Sequence, residues 1–107
     1  MEKLLNYFNG DSFAASTWQN KYALKDNNGN AIEETPTDMH KRLANEFARI
    51  ENKYNDSDKL SAEDIFELFK DFKYVIPGGS VLAGLGTKAP VSLSNCFVID
   101  IDNYEFS

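Results

Sequence analysis

The sequence predicts an α+β chain in two parts. A mainly α-helical N-terminal region covers residues 1–73, and a glycine-rich loop with one buried strand covers 74–107. Three observations predict this. Two segments repeat apolar residues at intervals of three and four behind helix-start signals. The composition then changes at "IPGGSVLAGLG", residues 76–86, which holds four glycines and a proline in eleven residues. "VSLSNCFVIDI", residues 91–101, follows with consecutive β-branched and aromatic residues, the pattern of a strand covered on both faces.

In chain order, "EKLLNYF" predicts a short helix that "NGDS" stops. "KYALKDNNGNAIEE" predicts a small hairpin or, nearly as well, a bare loop. Tyr22, Leu24 and Ile32 flank a polar turn from Asp26 to Asn30, where Gly29 tolerates positive φ. A helix starts at Thr35, with Thr35 as N-cap, Pro36 at the first helical position and Asp38 as the capping-box acid. Met39, Leu43, Phe47, Ile50 and Tyr54 fall on one face of it, which turns Lys41, Arg42, Glu46 and Arg49 towards water. His40, flanked by charge, reads as exposed. After the polar stretch "NKYNDSD", Ser61 and Asp64 pair at the start of a second helix carrying Ile65, Phe66, Leu68, Phe69 and Phe72. Lys70 and Lys73 sit near its negative end. "IPGGSVLAGLG" reads as a shaped loop without regular structure.

At 107 residues, 42% hydrophobic and 13% aromatic, the chain suffices for one modest domain with a core. Seventeen acidic residues against eleven basic ones leave a net charge of -6. This argues against a general nucleic-acid or anionic-membrane surface, which needs a cationic face. A single cysteine excludes an intramolecular disulfide framework and a cysteine-based zinc site. The N-terminus lacks a signal-peptide layout and no apolar run reaches spanning length, so a cytoplasmic, reducing setting is expected.

Candidate chemistry is sparse. Gly79 and Gly84 have the glycine spacing of a P-loop, but Leu85 stands where lysine is required. Gly84 and Gly86 lack the third glycine of a dinucleotide fingerprint. Lys88 can meet a phosphate but reads as a solvated lysine. His40 has neither a second histidine nor clustered carboxylates beside it, so no metal site is expected. Cys96, read alone, is a packed thiol, because no base can be assigned to it.

"IPGGSVLAGLGTKAPVSLSNCFVI" resembles the first active-site segment of the ribonucleotide reductase catalytic (large) subunit. In that family a proline-containing turn leads to Ser or Thr, then a glycine-bearing loop, then Ser-x-Cys on the first strand of a ten-stranded α/β barrel. Here sixteen positions separate Ser80 from Cys96, and "LSNCFVI" is similar to the family's strand. "KYALKDNNGNAIEETPTDMHKRLANEFARIE" resembles the helical region that precedes the barrel.

The resemblance implies that Cys96 belongs to a redox-active cysteine pair and that Gly79, Ser80, Ser94 and Asn95 contact the substrate's phosphate and ribose. Asn95 replaces the family's usual small Ser or Ala, which leaves a backbone contact there. The implied reaction reduces ribonucleotides to deoxyribonucleotides for DNA synthesis. Implied partners are the remainder of the catalytic subunit, which a separate chain can supply, and thioredoxin or glutaredoxin as reductant. This segment itself is expected to bind no cofactor. The radical source is adenosylcobalamin or a metal-bearing small subunit. With one cysteine the chain is expected to be inactive alone, as a split or truncated subunit. The competing expectation is a non-enzymatic, acidic helical module that docks a partner through its C-terminal strand.

Overall fold

The computed structural model describes residues 2–54 and 58–88. It is helical: α1 Glu2–Tyr7, α2 Ser12–Lys21, α3 Pro36–Glu51, α4 Ala62–Phe69, a 3₁₀ turn Lys70–Phe72, and α5 Gly79–Gly84. Among the described residues the only β structure is an isolated antiparallel bridge between Lys25 and Ala31. The expected barrel strand, and with it Ser94, Asn95 and Cys96, lies outside the described residues.

The two capped helices form as their sequences direct. Asp38 folds back over the start of α3, its carboxylate accepting from the backbone N–H groups of Glu34 (2.9 Å) and Thr35 (3.4 Å). These would otherwise be orphan donors. Ser61 and Asp64 cap α4 reciprocally, at 3.1 and 3.2 Å. The predicted hairpin is present in minimal form. Asp26 accepts from Asn28 and Asn30, Gly29 sits at φ +85°, and Ile32 N–H donates to the Leu24 carbonyl at 2.7 Å.

Among the described residues all five helices feed one core. Leu4, Ala15, Trp18, Met39, Leu43, Ala44, Ile65, Phe69 and Leu82 are buried together. Each fully buried large aliphatic side chain contributes about 2 kcal/mol. The Trp18 indole N–H donates to the Met39 sulfur at 3.3 Å, tying α2 to α3, and Phe47 packs on Phe69 across α3 and α4. The thioether is a weak acceptor, but it satisfies a buried donor.

Several expectations need correction. One helix was not anticipated: Asp11, within "NGDS", caps α2, its side chain accepting from Ala14 N–H at 3.1 Å. The glycine-rich stretch holds α5 and is not simply a loop. α3 ends at Glu51, so Tyr54 lies beyond it and is exposed instead of joining the apolar face. Leu68 is also largely exposed, and Phe72 sits in the 3₁₀ turn, past the end of α4. Arg42 and His40 were both expected at the surface; Arg42 is half-buried with its side chain only 8% exposed, and His40 is fully buried.

Candidate functional site

α5 is six residues long, about 9 Å, too short to hold itself together in water. Its position is set by what surrounds it. At its C-terminal end the chain turns extended at Leu85; the Val81 and Gly84 carbonyls accept locally from Leu85 and Thr87, while the Leu82 and Leu85 carbonyls take a donor from another helix. Arg42 of α3 supplies one. Its Nη2 donates to the Leu82 carbonyl at 2.7 Å and its Nη1 to the Leu85 carbonyl.

The guanidinium is held in turn by Glu33. Nε donates to one carboxylate oxygen at 3.0 Å and Nη2 to the other at 3.3 Å, and both side chains are only 8% exposed. The same carboxylate accepts from the Leu24 N–H at 2.9 Å, which fastens the hairpin arm. This is the bidentate geometry for which arginine is suited and lysine is not.

The glycines are explained by close approach. A Cβ on Gly79 would lie 3.2 Å from Cε1 of Tyr22, on the arm that Glu33 fastens. Gly86 has φ +77°, and a Cβ there would lie 3.1 Å from Arg42 Cγ and 3.4 Å from its carbonyl oxygen. Gly86→Ala should therefore cost about 1–2 kcal/mol from the left-handed backbone alone, and more from the crowding of Arg42. Gly29→Ala has a similar φ and open space around it, so it pays the backbone term only. Urea midpoints of the two variants give the comparison, and equal midpoints would remove the contact from the argument.

Of the residues predicted to contact substrate, the structure brings together Gly79 and Ser80, adjacent in the first turn of α5, with Ser80 half-buried. Arg42, Glu33 and Tyr22 belong to the site and were not predicted. Their signal was weak, since an arginine flanked by Lys41 on a helix reads as solvated. Among the described residues no group of three or more His, Cys, Asp or Glu side chains could hold a metal ion.

A second polar cluster centres on His40. His40 is 0% exposed, packed edge-on against Phe72 at 4.7 Å and beside Phe69, and neither ring nitrogen hydrogen-bonds to a described residue. Burial pushes its pKa below the ordinary 6.5, against the opposing pull of the Asp71 and Glu33 carboxylates. The Tyr7 hydroxyl is buried without a hydrogen bond of acceptable geometry to any described residue. Burial, and then the nearby Asp71 carboxylate, raise its pKa. Asp71 and Phe72 both have left-handed backbones, φ 55° and 56°, which turns the chain so that Phe72 meets His40.

A histidine held neutral when folded binds its proton more readily when unfolded. Stability is therefore whole above pH 6.5 and falls as pH drops through that value towards the lower folded pKa. The slope from this single group is at most about 1.4 kcal/mol per pH unit. Denaturant titrations from pH 7.5 to 5 should show the decline, and His40→Phe should flatten it. An unchanged slope in that variant would assign the decline to other groups.

Within the described residues no helix is long and apolar enough to cross a membrane. No curated protein and no solved structure matches the chain. The family model described as "Ribonucleotide reductase, all-alpha domain" matches residues 8–90, a span that includes Tyr22, Glu33, Arg42, Gly79 and Ser80 and ends before Ser94. The helical architecture and that match together establish that the chain belongs to the ribonucleotide reductase large-subunit family, of which it carries the N-terminal all-alpha domain.

Proposed function

We propose that this chain acts within a ribonucleotide reductase catalytic subunit, with residues 1–73 as its helical region and 74–107 as the substrate loop and first barrel strand. The observation that carries the reading is the continuous family match over residues 8–90, which runs through the α5 loop. Gly79 and Ser80 contact the substrate's phosphate from α5. Ser94 and Asn95 contact substrate from the strand, and Cys96 supplies a thiol at the ribose 2′ position.

In the net reaction the C2′–O bond breaks and the hydroxyl leaves as water. A C2′–H bond forms, and two thiols become a disulfide, giving up two electrons and two protons. The chain has one cysteine, so the second sulfur comes from outside these 107 residues. Thioredoxin or glutaredoxin then returns the disulfide to two thiols. The radical that opens the reaction is supplied by adenosylcobalamin or by a metal-bearing small subunit. Such thiol chemistry calls for a reducing compartment such as the cytoplasm. Family membership favours this reading over an unrelated docking module, whose C-terminal strand lies outside the described residues.

The test combines the chain with the polypeptide that completes the subunit, a reductant, a radical source, and ribonucleoside di- or triphosphate. Deoxyribonucleotide should form. In the same assay Ser80→Ala should raise KM about tenfold or more, the usual effect of losing a hydrogen bond to a charged group. Failure to bind or reduce either class of nucleotide would end the proposal.

A further inference from the structure

We infer that the buried Arg42–Glu33 pair is a positioning device for the substrate loop, acting through α5 on Ser80. The inference rests on the reading of Ser80 as a substrate contact. α5 is gripped at both ends. Its C-terminal carbonyls, Leu82 and Leu85, accept from Arg42. Its first residue, Gly79, lies against the ring of Tyr22. Tyr22 precedes Leu24, whose N–H donates to Glu33, the carboxylate that also holds Arg42. One ion pair thus fixes the far end of the helix directly and the near end through the hairpin arm. Ser80 sits between the two grips.

A buried ion pair is a poor way to gain stability, because desolvation of the charges consumes most of the attraction. It is a good way to fix geometry. The planar guanidinium can reach two carbonyls and a carboxylate together only in one orientation. A six-residue helix is too short to hold itself in place, so the grip from α3 adds to what holds the Ser80 hydroxyl to the tolerance that substrate binding requires. Gly86 completes the fit by letting the backbone pass within van der Waals distance of Arg42.

The experiment uses Arg42→Lys, which keeps the charge and loses the fork, and Glu33→Gln, which keeps the acceptor for Leu24 N–H and loses the charge. Both are made in the complete catalytic subunit. Amide exchange over residues 79–88 should speed up about tenfold or more while residues 62–69 stay as in the parent. KM for the ribonucleotide should rise about tenfold with kcat at saturation within about twofold, the mark of a lost binding geometry with intact chemistry. A merely structural pair would instead lower the active fraction and leave KM alone.

Unchanged exchange over 79–88 would overturn the grip. Faster exchange with an unchanged KM, while Ser80→Ala raises KM, would overturn the link from grip to substrate. If Ser80→Ala also leaves KM unchanged, the substrate reading of Ser80 fails, and the exchange result still judges the grip.

Discussion

Arg42→Met should destabilise the chain by about 3–5 kcal/mol, the cost of stripping one partner from a buried ion pair. Against a typical total of about 5–15 kcal/mol for a domain, this is a large fraction. The variant leaves the Glu33 carboxylate, 8% exposed, without its guanidinium, and leaves the Leu82 and Leu85 carbonyls without their donor. Water cannot repair the loss without opening the junction between α3 and α5. Exposed pairs provide the contrast. Lys3–Glu34 and Arg49–Glu46 lie at the surface, where solvent and salt take over the interaction, so Lys3→Met and Arg49→Met should leave the urea midpoint nearly unmoved. Adding Glu33→Gln to Arg42→Met removes the stranded charge and keeps an acceptor for Leu24 N–H, so it should recover much of the loss. A single Arg42→Met variant within about 1 kcal/mol of the parent, well under the buried-pair range, would show that the junction tolerates an open charge.

What the sequence made legible follows from how local each signal is. The start of α3 was readable because Pro36 and Asp38 act within one turn. The same holds for Ser61 with Asp64, and for the turn at Gly29. α2 was not readable, because "SFAASTWQNK" buries only Ala15 and Trp18, too few to mark an apolar face, and the one local clue was Asp11 as a cap. α5 was hidden by its glycines, which disfavour helix; contacts with Arg42 and Tyr22, distant in sequence, override that propensity.

Arg42 and His40 failed for a shared reason. Charge and polarity predict exposure only when no partner awaits inside. Arg42 meets Glu33 and two carbonyls, while His40 is enclosed by Phe69 and Phe72 because the left-handed turn at Asp71 and Phe72 brings the second ring over it. Sequence periodicity on one helix carries no information about such neighbours. The substrate-loop reading was only partly positional: Gly79 and Ser80 fall together on α5, and their support comes from residues the sequence did not single out.

Cys96→Ser should bring deoxyribonucleotide formation down to background in the completed subunit. Electron count requires this. Removing the 2′ oxygen as water requires two electrons per turnover, and two thiols supply them by forming one S–S bond. A serine hydroxyl cannot form that bond, so no reducing equivalents reach the nucleotide, whatever the binding affinity. The chain's lone cysteine makes the partner identifiable: non-reducing peptide mapping after turnover without reductant should find Cys96 joined to a cysteine absent from residues 1–107. The substitution also places a hydroxyl in the apolar run "NCFVI", so loss of activity alone could reflect misfolding. Cys96→Ala separates the two causes, since it introduces no polar group. It should bind ribonucleotide as the parent does while turning over none. Turnover that survives in either variant removes Cys96 from the redox pair. The Ser80 contact would then still stand, because its effect appears in KM and requires no electrons from this sulfur.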